Sequence, residues 1–227
     1  MAEIWRPLRK ILREPLGALG LFLVVLVIFG AVFADLLTSY DPTRINPRDR
    51  FQGPSADHLL GTDQLGRDLF ARVLYGGRIA LYVALVSTAI SLAIGIVLGL
   101  IAGYGPRWLD NLMILLFDAM KSFPTVMLAL ALVTLMGPSL TAVMVVVILV
   151  TVPGYARIIR TQTIALKNSE YVTAAQSMGA SSARILRVHI LPNVIGPLVI
   201  LASMDIPVVI GIEAGMSFLG LGVRPPT

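Results

Sequence analysis

The sequence contains no cysteine. That excludes disulfides, thiol nucleophiles and Cys-based metal sites, and says nothing about which side of a membrane a loop occupies. Charge is also scarce: 14% of the 227 residues are charged and 56% are apolar, which excludes the surface of an ordinary globular protein. There are only two histidines, His58 and His189; no HExxH occurs, and no G-x4-G-K-[ST] is present to cradle phosphates. Ser217 stands in Gly215-Met216-Ser217-Phe218, but the two histidines fall in loops on opposite sides of the predicted bundle, so no nucleophile–base pair assembles. No catalytic residue and no metal ligand is assigned. The repeats that mark many secondary transporters are missing too, although a secondary transporter or channel working without ATP remains the alternative class. What is left is an all-α membrane protein. Its net charge of +5 reads as basic loops against an anionic inner leaflet, and no nucleic-acid partner is expected.

Long apolar runs define five spans. Arg6, Arg9, Lys10 and Arg13 precede a run over 16–37 whose only charge is Asp35; it is too long for a cleaved leader and reads as a retained first span with the N-terminus inside. Residues 79–103 carry no charge, and Ser87, Ser91, Gly95, Gly99 and Gly103 recur every fourth position. Such a stripe of small side chains predicts close helix packing, within the subunit or across a dimer. A third span over 110–136 contains Asp118 and Lys121, spaced to pair along one face, and then Pro124, which should bend it. Gly137-Pro138-Ser139 reads as a tight outer turn, and a fourth span follows from 140 to 152, ending at Pro153-Gly154. The fifth covers 194–212, with Pro197, Pro207 and Asp205, and Glu213 follows it. Ionisable groups at membrane depth are functional candidates by default, so Asp118, Lys121, Asp205 and Glu213 are candidates for a translocation path. The structural alternatives are snorkelling for Asp118 and Lys121, and a hydrogen bond to a serine or threonine of a neighbouring helix for Asp205.

The stretch between the first two spans, 38–78, sets Arg44, Arg48, Arg50, Arg67, Arg72 and Arg78 against Asp41, Asp49, Asp57, Asp63 and Asp68, a near-cancellation that suits an outer loop. There Thr62 or Asp63 is expected to cap a helix, and Asp68 to pair with Arg72. The stretch 155–193 is one-sided: Arg157, Arg160, Lys167, Arg184 and Arg187 face the single acid Glu170, which places it in the cytoplasm. Within it, Asn168 or Ser169 caps a short helix over 170–178, and Gly179 supplies the left-handed turn that stops it. A second helix starts at Ser181 or Ser182, turns Ile185, Leu186, Val188 and Leu191 to an apolar side with Arg184 and Arg187 in water, and ends at Pro192.

These residues carry a family resemblance. Ala174-Ala175, Gly179 and Leu191-Pro192 stand at the spacing A-A-x3-G-x11-L-P, which resembles the cytoplasmic "EAA" loop of permease subunits in binding-protein-dependent ABC importers. The fuller string, with Tyr171-Val172, Ala180-Ser181 and His189-Ile190-Leu191-Pro192-Asn193, is similar to the dipeptide, oligopeptide and nickel branch. So are His58-Leu59-Leu60-Gly61-Thr62-Asp63, Gly66-Arg67-Asp68, and Glu213 with Ser217-Phe218-Leu219-Gly220-Leu221-Gly222. Two positions depart from the general pattern: Thr173 replaces the name-giving glutamate and His189 an isoleucine.

The resemblance implies a multi-span helical bundle of the ABC importer permease type, with a sixth span expected beyond the five present here. It implies a cytoplasmic segment at 1–15, a first span at 16–37, an extracytoplasmic loop at 38–78 and a permease core over 79–227 with its coupling loop at 155–193. Glu170, Tyr171, Thr173, Ala174, Ala175, Gly179, Ala180, Ser181, His189, Leu191 and Pro192 would form the surface that meets the ATPase. The implied partners are a homologous permease, two ABC ATPase subunits that bind ATP and Mg, an extracytoplasmic substrate-binding protein and membrane lipid, in a bacterial inner membrane. This chain itself would bind no cofactor and perform no bond chemistry. Peptides lead as the transported substrate, with nickel chelates, glutathione and opines left open.

Overall fold

The computed structural model describes residues 11–222, and the described residues are helical apart from loops and one isolated bridge between Thr62 and Asp68. Arg6, Arg9, Lys10 and the end at Pro226 and Thr227 lie outside the described residues. The described residues divide into two compact units, one ending at Tyr82 and one beginning at Val83.

In the first unit the leading apolar run forms α1 (Pro15–Val32) and, after a break at Phe33, the single turn α2 (Ala34–Leu37). Nearly every large side chain of α1, among them Phe22, Leu23, Val25 and Leu26, is exposed, as a lipid-facing helix requires. The second long helix, α3 (Leu69–Tyr104), begins ten residues before the predicted span, taking in Arg72 and Arg78. Arg78 explains part of that extension. Its Nε donates to Ala31 O at 2.9 Å and its Nη2 to Val32 O and Asp35 Oδ2, which satisfies carbonyls left open at the end of α1.

The intervening loop also differs from expectation. Neither Thr62 nor Asp63 starts a helix; Asp68 does, accepting the Ala71 N–H at 2.7 Å. Asp68 therefore has no partner in Arg72. Its second oxygen takes His58 Nδ1 at 2.9 Å, while Asp63 holds both Arg67 and Arg72. The i,i+4 spacing was available, but the chain reversal brings a better-oriented acid to Arg72.

The second unit is built on α6 (Leu140–Lys167), against which α4 (Arg107–Lys121), α5 (Thr125–Met136), α7 (Glu170–Ser177) and α9 (Leu191–Phe218) pack. The predicted third span is broken: α4 and α5 meet at 86° across residues 122–124, where Pro124 has no N–H to continue the ladder. Asp118 pairs with Arg157 of α6 at 2.6 Å, not with Lys121. The fourth span does not stop at Pro153-Gly154. α6 continues through Pro153 to Lys167, because Val152, Tyr155, Ala156 and Ile159 are all buried and their packing outweighs one lost backbone bond of about 3 kcal/mol.

Nor does the loop's second helix end at Pro192. The turn α8 (Ser182–Ile185) passes through a π-helical turn at Leu186–Ile190 straight into α9, giving a single rod, Ser182–Phe218. The wide turn makes room for the Pro192 ring, and the Asn193 amide donates to His189 O at 2.6 Å. It also moves the buried face on by one residue. Ile185, Ile190, Val194 and Leu198 are buried, whereas Val188 is exposed. The described helices thus include four long and apolar enough to span, or five if the bent α4–α5 pair is one crossing.

Candidate functional site

The second unit carries two of the surfaces the sequence nominates: the small-residue stripe of α3 and the α7–α8 corner. Along the stripe, a β-carbon at Gly95 would stand 2.6 Å from Tyr155 Cβ, at Gly99 2.6 Å from both Ala156 O and Ile159 Cβ, and at Gly103 2.7 Å from Thr163 Cβ. The backbones of α3 and α6 approach so closely that only glycine fits there. Further along, Thr151 Oγ1 donates to Ser91 Oγ at 2.8 Å, while Ser87 is buried with its hydroxyl unpaired.

The α7–α8 corner rests on a core of Tyr155, Ile159, Val172, Ile185, Ile190, Val194 and Leu198. From α7, Val172 and Ala175 point into this core, three residues apart as a helix face requires. The other side carries Glu170, Tyr171, Thr173, Ala174, Gln176 and Met178, all exposed; Met178 is 82% exposed. Gly179 ends the helix with φ +81°, its N–H on Gln176 O, and Ser181 Oγ accepts the Arg184 N–H to start the next turn. Ser169 occupies the cap position of α7, but its hydroxyl turns back to donate to Leu166 O at 2.6 Å. Ala180 is half-buried against the core, and the Tyr171 and His189 rings lie 6.0 Å apart. Leu191 and Pro192 lie in the first turn of α9, on the rod that leads away from the corner.

The four acidic and basic candidates for a path are not gathered at one point: Asp118 and Glu213 have local partners, and Lys121 and Asp205 make no hydrogen bond or ion pair among the described residues. Asp118 and Arg157 are about half exposed. Asp205 is partly exposed and approaches the buried Tyr155 hydroxyl, which has no hydrogen bond in place; no serine or threonine holds it. Glu213 accepts from Ser217 Oγ at 2.8 Å, and Lys121 is exposed at the end of α4. Sequence spacing missed the pair joining Arg160 to Asp110, since fifty residues separate the two positions and nothing local links them.

Residues 95–227 match the model of the "binding-protein-dependent transport system inner membrane component" family, and residues 1–54 that of the "N-terminal TM domain of oligopeptide transport permease C". The chain belongs to the first of these families. The permease is 41% identical to the dipeptide transport system permease protein DppC of Alkalihalophilus pseudofirmus over 98% of this chain and 73% of that protein. It is 40% identical to the glutathione transport system permease protein GsiD of Pectobacterium atrosepticum, over 99% and 74% respectively. With the di/tripeptide transport system permease protein DppC of Pseudomonas aeruginosa it shares 39% identity, over 93% and 72%. It is an ABC importer permease of the peptide branch, a multi-pass inner-membrane protein and not an enzyme.

Proposed function

We propose that this permease is the transmembrane subunit of an ATP-driven importer of di- or oligopeptides. It forms the translocation path with a homologous permease subunit. Two ABC ATPase subunits bind ATP and Mg and hydrolyse the nucleotide, and an extracytoplasmic binding protein delivers the peptide. The N-terminus and the 155–193 segment face the cytoplasm, as the charge bias requires. The dipeptide, di/tripeptide and glutathione permeases among its relatives support a peptide-like substrate.

The observation that carries the coupling role is the two-sidedness of α7. Its eight residues, about 12 Å long, present Tyr171 outward, with the capping residue Met178 beside it, while Val172 and Ala175 fix the other face to the bundle. Large apolar groups exposed on a polar loop mark a protein-binding surface. A partner that grips this ridge differently in its ATP and ADP states shifts the bundle between its inward- and outward-open arrangements.

The test is ATP-driven uptake by the reconstituted complex carrying Gly179→Asp. A β-carbon at Gly179 meets nothing within 4 Å, so the only local cost is that of a left-handed aspartate, about 1–2 kcal/mol, which an exposed corner should bear with folding and insertion retained. Uptake should fall about tenfold or more as a carboxylate enters the contact face; unchanged uptake overturns the coupling role. Mass spectrometry of the ligand on the co-purified binding protein should find peptides, and a metal chelate or an opine there would replace the substrate assignment.

A further inference from the structure

Three cations lie on one face of the inner half of α6, at positions 157, 160 and 167, the spacing of a single helix side. Arg160 forms a two-pronged pair with Asp110 in the first turns of α4: Nη2 donates to Oδ2 at 2.7 Å and Nε to Oδ1, with side chains only 22% and 18% exposed. Arg157 holds Asp118, two turns further along α4. Lys167 Nζ donates at 2.8 Å to the carbonyl of Tyr104, the last residue of α3, and lies 5.0 Å from the centre of its ring.

Apolar packing on α6 holds α4 through one narrow face: of its fifteen residues only Phe117 is buried, with Leu109, Met113, Ile114 and Met120 half-buried, and such a face allows sliding along α6. A bidentate arginine–carboxylate pair, in contrast, sets both distance and orientation. One end of this arrangement is continuous with the ridge: α6 ends at Lys167, just before α7, and Tyr155 and Ile159 share a core with Val172. The other end reaches the joint at 122–124, where the helical ladder stops and α5 leaves at 86°.

We infer that the Arg160–Asp110 pair, with Arg157–Asp118 as a weaker second contact, is the link through which displacement of α7 reaches the apolar half-span α5, with α4 as the arm and residues 122–124 as the joint. This rests on the coupling role proposed above. Arg160 and Asp110 are positioning residues: they touch neither nucleotide nor transported solute, and they determine whether α4 follows α6.

This chain has no native cysteine, so with partner subunits made cysteine-free the assembled complex accepts paired spin labels. Labels at Gln176, exposed on the flank of α7 away from the Tyr171–Met178 ridge, and at Val97 report α7 against α3, and labels at Leu135 and Val97 report α5 against α3; Val97 and Leu135 are 56% and 83% exposed. On trapping the closed ATPase pair as its ADP–vanadate complex, both distances should shift in the native background. In Asp110→Asn and in Arg160→Met the Gln176 shift should persist while the Leu135 shift falls to about a fifth or less, and the exchanged pair Asp110→Arg with Arg160→Asp should recover at least half of it. Distances are read per assembled complex, so a lower yield of a variant does not alter the outcome. A Leu135 shift retained in both single variants, absent from the native background, or not recovered by the exchanged pair overturns the link. A Gln176 distance that does not move in the native complex overturns the coupling role itself.

Discussion

At the scale of single residues, the loop over 38–78 shows how much one atom decides. Gly66 has φ +72°, and a β-carbon there would stand 1.7 Å from Asn46 O, so the turn that presents Arg67 and Asp68 exists only with glycine. Gly66→Ala should destabilise the loop by more than the 1–2 kcal/mol of a left-handed residue alone, read as protease cleavage within 46–66 at a concentration that spares the native permease. Asp63 makes a second case. Desolvation raises its pKa, but the N–H groups of Arg67 and Leu65 and the Arg67 guanidinium outweigh that, lowering it from 3.8 to about 2. A carboxyl whose folded pKa lies below its unfolded one adds stability above pH 3.8, and this is lost as pH falls towards 2. Discounted for solvent screening, the contribution is about 1–2 kcal/mol. Asp63→Asn should therefore lower the melting temperature at neutral pH, and the gap to the native permease should close near pH 2. A gap that persists undiminished in acid would show that the asparagine acts through packing, not charge.

At the scale of elements, the small-residue stripe and the corner behave differently under substitution. Gly99→Leu must force apart α3 and α6, because Ala156 O is backbone and cannot yield. A cost of roughly 1–3 kcal/mol or more is expected, seen as a lower melting temperature in detergent. Gly196→Leu is the control, since a β-carbon there meets nothing within 4 Å and should cost far less. The stripe was readable in the sequence because small residues every fourth position share a helix face. Gly179 and Ser181 were readable as well, since each acts on its own backbone. The π turn was not: the i+3 and i+4 spacing nominated Val188, and one added residue per turn delivers Ile190 to the core instead.

For the whole molecule, the charge bias predicts sides that can be mapped because this chain has no native cysteine to interfere. Met178→Cys should react with an impermeant maleimide only from the cytoplasmic face, and Phe51→Cys, at a position 76% exposed, only from the outer face. Labelling of both from one face would reverse or break the topology. The ion pairs belong to this scale too. Arg160 with Asp110 joins positions fifty residues apart, and Arg78 reaches the carbonyl of Ala31 across forty-seven. No local spacing announces either contact.

The sequence by itself determined the class of protein, the apolar runs, the one-sided charge of 155–193 and the glycine-jointed corner, since each follows from composition or from forces acting within a few residues. Tertiary structure alone decided that α6 runs through Pro153, that Ser182–Phe218 is one rod despite Pro192, and which acid each arginine holds. Proline's penalty is local and of order 3 kcal/mol, while the packing and charge pairing that override it come from distant parts of the chain.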